Sequence, residues 1–154
     1  MVKVKKIFLI FVIIFILVGV TLIVIGLKNN FKESRNNKRI TDVALILNTV
    51  YQYYINNDGS LPLAIQEDEN CLDPNTIVEI CKKGYDTLIC LENQKIPMPN
   101  IIDSGEYIDN WPVDPTGENE FGIGYNIIKS NNGRITVCAP YAEGINIINI
   151  SITR

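Results

Sequence analysis

Residues Ile7–Leu27 read IFLIFVIIFILVGVTLIVIGL, 21 residues without a charge. At 1.5 Å per residue such a helix is roughly 31 Å long, the thickness of a bilayer's hydrocarbon layer. A helix buried in a water-soluble domain needs a polar face, and this run has none. Its one polar side chain is Thr21, whose hydroxyl can bond back to its own helix. The expected solvent for this segment is therefore lipid. The leader MVKVKK looks like the start of a signal peptide, but the run exceeds an ordinary signal-peptide core, and no Ala-x-Ala-like site follows it. An uncleaved anchor is expected.

Removing the anchor leaves about 125 residues, enough for one small domain. Basic residues number 14 and acidic residues 17, for a net charge of −3, which gives no electrostatic basis for a nucleic-acid partner. Histidine is absent, which removes the usual general base and the commonest metal ligand. No nucleophile–base pair is legible, and Gly122-x-Gly124 is no phosphate loop because no helix follows it. A non-enzymatic role with no cofactor is expected. Lysines and arginines flank both ends of the anchor, so charge alone does not orient it. The four cysteines, Cys71, Cys81, Cys90 and Cys138, lack C-x2-C zinc spacing and point to disulfides in an oxidising compartment. This places the N-terminus inside and the larger C-terminal part outside the cytoplasm. Four cysteines permit three pairings. Cys81–Cys90 with Cys71–Cys138 is preferred, because Cys90 follows Cys81 so closely. Cys71–Cys81 with Cys90–Cys138 stays open.

Beyond the anchor, Ile40, Val43, Ala44, Leu47, Val50, Tyr51 and Tyr54 recur at spacings of three and four, one face of a helix. Asp42, Asn48, Thr49 and Gln52 fall on other faces. No proline or glycine separates Leu27 from Ile40, so one helix is expected from the anchor to about Asn57. The alternative is a separate outer helix on a flexible Lys28–Asn37 linker. Asn57-Asp58-Gly59, then Pro62, ends it. Asp73-Pro74 predicts a short helix over Pro74–Lys83. Leu91–Pro115 reads as a long irregular stretch that needs pinning, a task for disulfides. Strands are expected over Gly124–Lys129, Arg134–Ala139 and Ile145–Thr153, the first two joined by an Asn131-Asn132-Gly133 turn. The fold class is α+β: a long N-terminal helix, half membrane and half amphipathic, on an antiparallel sheet of about three strands. The regions are 1–6 in the cytoplasm, 7–27 in the membrane, 28–57 as the helix extension and 58–154 as the globular part. Candidate helix-packing residues are Gly19 and Gly26, which permit close approach, and Val43, Leu47, Val50 and Tyr54. Of the tyrosines, Tyr51 and Tyr54 are expected in the core and Tyr53 in solvent. Asp109, Asp114, Glu118 and Glu120 carry oxygen ligands of the type that holds Ca²⁺; read plainly, they form a solvated acidic turn.

Arg39-Ile40-Thr41-Asp42, running on to Tyr53-Tyr54-Ile55-Asn56-Asn57-Asp58-Gly59-Ser60-Leu61-Pro62, resembles type IV pilins and the pseudopilins of type II secretion systems. In that family a hydrophobic-periodic helix ends in tyrosines and an N-D-G-x-Y-P turn; Leu61 stands here where the family has an aromatic residue. Trp111-Pro112-Val113-Asp114-Pro115 resembles the family loop in which a proline, one residue and Asp-Pro precede a tyrosine-bearing strand, and Gly124-Tyr125 fits that strand. The family's leader glycine and its Phe-Thr-Leu-Ile-Glu start are not present. Alignment on Asp42 places Phe8 near the position of that glutamate. The resemblance implies a pilin-like fold and a structural subunit of a type IV pilus or pseudopilus-like filament, as a minor or tip component. Its partners would be the membrane, other pilin-like subunits and an assembly platform. The other expectation is a permanently anchored extracytoplasmic binding module that never polymerises.

Overall fold

The structure, a computed structural model, describes residues 2–62, 64–72, 78–144 and 149–154, with residues 2–10 and 22–25 described as backbone. Helix α1 spans Val2–Asn56 without a break, as the absence of proline and glycine after Gly26 predicts. It is long and apolar enough to cross a membrane. The chain divides into two compact units, Met1–Arg35 and Asn36–Arg154. In the first, residues 11–18 and Val20 are apolar and exposed, Phe15 at 81%. Thr21 donates its hydroxyl to the Val18 carbonyl at 2.8 Å, so this stretch offers its surroundings hydrocarbon and little else.

The second unit packs the last five turns of α1 on a four-stranded antiparallel sheet of order β1-β2-β3-β4. The strands are β1 (Glu79–Cys81), β2 (Gly122–Lys129), β3 (Ile135–Ala139) and β4 (Ile150–Thr153). The β2–β3 hairpin closes at the predicted Asn-Asn-Gly turn, with Lys129 opposite Ile135. In the β3–β4 pair Val137 faces Ile152 and Ala139 faces Ile150. Helix α1 ends where expected, and the chain reverses through Asp58 and Gly59, both at positive φ. Val43, Ile46, Leu47 and Val50 meet Ile123, Tyr125, Ile127, Ile135 and Val137 in one continuous core.

Three expectations need correction. The segment predicted as a helix over Pro74–Lys83 contains strand β1; residues 73–77 lie outside those described. Val78 and Ile80 are buried, and β1 sits between two partners. Glu79 pairs with Asn126 on one side, and Ile96 exchanges backbone bonds with Glu79 and Cys81 on the other. A ladder with β2 and a bridge to Ile96 outweigh the weak helical signal of a Pro-Asn-Thr start. With β1 the sheet has four strands, in keeping with the expected antiparallel sheet of about three; the last is Ile150–Thr153, and residues 145–148 lie outside those described. The stretch around Leu91–Pro115 is not all irregular. It carries α2 (Thr87–Glu92), capped by the Asp86 side chain on Ile89 N, and α3 (Pro99–Ile102) with proline at its first position.

The third correction is the buried face of α1. Ile40 is exposed, and Asp42 and Thr49 are buried, the reverse of the apolar reading. Ile46, absent from the predicted stripe, is fully buried. Tyr53 packs on the core and meets the Tyr107 ring edge-on at 5.6 Å. Tyr54 lies against Tyr51 and over Gly59 instead of in the core cluster. The helix is rotated because two of its polar side chains, Arg39 and Asp42, have partners inside.

Candidate functional site

Asn36, Arg39 and Asp42 follow one another at three-residue spacing along α1, on the face that meets the sheet and the loop before β2. Arg39 is completely buried. Its guanidinium grips Asp114 with two parallel bonds, Nε to Oδ2 at 2.7 Å and Nη2 to Oδ1 at 3.0 Å. The remaining three donors reach Thr116 Oγ1 at 2.7 Å, Asn36 Oδ1 at 2.9 Å and Glu143 Oε2 at 3.2 Å. All five N–H groups of the fork are thus satisfied, the condition under which a buried arginine is tolerable. Asn36 closes the circuit, donating to the Glu143 carbonyl at 2.6 Å and accepting from Glu143 N at 3.0 Å.

Asp114 is shaped by its loop before Arg39 reaches it. Its Oδ1 accepts the backbone N–H groups of Thr116 and Gly117, both at 2.8 Å, a local Asx turn that Asp-Pro-Thr-Gly favours. Its own N–H donates to the Ile123 carbonyl at 2.9 Å, which ties the loop to β2. Gly124 lies against it at φ +80°, and a Cβ there would come within 2.7 Å of Asp114 Cβ and 2.9 Å of Gly117 C. Only glycine suits both that dihedral and that gap. One turn along α1, Asp42 accepts the Tyr125 hydroxyl at 2.6 Å and pairs with Lys38, which also donates to the Val113 carbonyl at 3.0 Å.

Burial works against the charge on Asp114, but the Arg39 fork and the two backbone donors outweigh it and hold the carboxyl below its ordinary range. Burial likewise opposes the charge on Arg39, and Asp114 and Glu143 more than compensate, raising it. Burial, then the bond to Asp42, pushes the Tyr125 phenol well above its usual value, so it remains a donor. The arrangement can hold the helix at a defined rotation and depth against the loop and sheet. It presents no nucleophile and no open ligand position.

The acidic residues predicted as oxygen ligands are not gathered. Asp114 is enclosed in the clamp, Glu118 pairs with Lys82 at 2.6 Å, Glu120 is exposed, and Asp109 gives its backbone carbonyl to Lys83 at 2.8 Å. Among the described residues no group of three or more acidic, cysteine or histidine side chains is placed to hold a metal ion. The cysteines pair as Cys71–Cys138 and Cys81–Cys90. The first ties the segment after α1 to β3; the second ties β1 to α2. Val43, Leu47 and Val50 pack inside the second unit. Gly19 and Gly26 have nothing within 4 Å of the position a Cβ would take. The clamp itself was not legible as a site. In the sequence Arg39 and Asp42 belong to a motif and Asp114 to a motif and an acidic cluster, and the partners of Arg39 and Asp42 lie 75 and 83 residues away. Comparison of the chain with protein-family models, with curated protein sequences and with solved structures gives no match.

Proposed function

We propose that this chain is a pilin- or pseudopilin-like structural subunit, anchored in the cytoplasmic membrane with residues 58–154 outside the cytoplasm, and able to pack into a filament through its N-terminal helix. The observation that carries this reading is α1 itself. A single helix provides an exposed apolar rod over residues 11–21 and then, from Asn36 to Asn56, the packing face for an antiparallel sheet. Lipid and other helices of the same kind are the two environments that can solvate such a rod. Open space at Gly19 and Gly26 leaves room for a close helix neighbour. Two disulfides agree with a domain outside the cytoplasm. The Asn-Asp-Gly helix end and the Asp114-containing loop, two of the motifs on which the resemblance rests, are both built into the fold.

Single cysteines placed along Ile7–Leu27 and crosslinked in intact cells test the proposal. Crosslinks to another copy or to another pilin-like subunit, recurring with helical period, are expected. Absence of crosslinks at every position, with the protein retained in carbonate-washed membranes, would favour the second reading, a permanently anchored binding module. That reading is supported by Phe8, which offers no carboxylate where the family has its register-setting glutamate. Release of the protein by carbonate would remove both.

A further inference from the structure

Away from the clamp, one carboxylate binds an amine on one oxygen and an amide on the other. Glu79, on β1, receives Lys95 Nζ on Oε2 at 2.7 Å and Asn119 Nδ2 on Oε1 at 2.8 Å. The Gly124 N–H supports Oε1 at 2.9 Å. The other end of the amide is also fixed: Asn119 Oδ1 accepts Gly122 N at 2.7 Å and Phe121 N at 3.2 Å. The lysine and glutamate side chains are 17% and 15% exposed, while Asn119 lies at the surface. Gly122 makes the arrangement possible, since a Cβ there would fall 2.0 Å from Glu79 Oε1 and 2.9 Å from Asn119 Nδ2.

We propose that Lys95 and Asn119 are joined by an intramolecular isopeptide bond, formed with Glu79 as the proton carrier between them. The groups the reaction needs converge on Glu79. Proton transfer from Lys95 to Glu79 within their ion pair gives a neutral amine, the nucleophilic form of lysine. Its nitrogen attacks Asn119 Cγ. Negative charge develops on Oδ1, where the Phe121 and Gly122 N–H groups already point, an oxyanion hole of two backbone donors. Protonated Glu79, in contact with Nδ2, returns the proton to the departing nitrogen as general acid. The Cγ–Nδ2 bond breaks as the Nζ–Cγ bond forms. Nδ2 leaves as ammonia, which carries away the remaining lysine proton as ammonium. No oxidant or cofactor takes part.

The bond would close a loop from residue 95 to residue 119 that contains α3 and the Trp111–Pro115 segment. Neither disulfide pins that loop at both ends: Cys81–Cys90 ends before it, and Cys71–Cys138 lies outside it. A third covalent tie at this place supplies the pinning that so long a connection calls for.

Intact-mass measurement of the full chain, purified in detergent and held at neutral pH, is the test. The expected result is a mass about 17 Da below that of the disulfide-bonded sequence, the loss of one ammonia. Proteolysis should then release a branched peptide joining Lys95 to Asn119. Lys95→Arg keeps the ion pair but cannot form the bond, and Asn119→Ala removes the electrophile; both should show the full mass. Glu79→Gln should do so as well while retaining the circular dichroism spectrum of the folded chain. A wild-type chain of full mass after prolonged incubation overturns the proposal. So does a mass loss that persists in Lys95→Arg, because the bond would then lie elsewhere.

Discussion

Arg39 has no exposed surface and five filled hydrogen bonds, so its substitution leaves Asp114 as a buried charge held only by donors of its own loop, the Thr116 and Gly117 N–H groups and the Thr116 hydroxyl. Arg39→Leu is expected to lower the unfolding free energy by about 3–5 kcal/mol, the usual cost of breaking a buried pair from one side. Urea denaturation in detergent, followed through the fluorescence of the single tryptophan Trp111, measures it. Asp114 also sets an acid limit. Its folded-state carboxyl titrates below its ordinary value, whereas in the unfolded chain it titrates at about 3.9. Between those two values the unfolded chain binds the proton and the folded chain does not, so stability increases with pH across that window. The contribution is complete above about pH 4 and is lost as the pH falls through the folded value. Asp114→Asn lacks this contribution, and its stability should change less than that of wild type below pH 4 in the same urea titrations.

At the scale of elements, the β2 strand is bound to the loop before it through Gly124. Gly124→Ala is expected to destabilise by about 2–4 kcal/mol, because the methyl group meets Asp114 and the backbone of Gly117 at a dihedral that alanine disfavours. Thermal unfolding should register this as a lower midpoint, whereas Gly133→Ala, with open space around it, should carry only the cost of its positive φ. The elements themselves were legible in proportion to how local their causes are. The end of α1 at Asn57-Asp58-Gly59, the Asn131–Gly133 turn and the alternation of β3 all follow from a few adjacent residues. β1 was not legible, since Glu79–Cys81 is a strand only because residues 122–126 and Ile96 lie on either side of it. The short helices α2 and α3, of six and four residues, give too little periodicity to register.

Across the whole molecule, the two disulfides divide the work of tethering unequally. Cys71–Cys138 spans 67 residues and Cys81–Cys90 spans nine. Loop-closure entropy then predicts about 4 kcal/mol lost in the Cys71→Ser, Cys138→Ser double variant and about 2.5 kcal/mol in the Cys81→Ser, Cys90→Ser variant. Parallel urea titrations of the two variants check this order. The apolar rod, the α+β class, the cysteine chemistry and the helix end are properties of the sequence by itself, because composition and short-range backbone preference produce them without a partner. The rotation of α1, the fourth strand, the clamp of Arg39 on Asp114 and the meeting of Lys95, Glu79 and Asn119 were decided by the tertiary structure alone. A polar side chain carries no local mark of whether it faces water or a counter-charge. That depends on which distant segment folding brings to it, and here those segments lie tens of residues away.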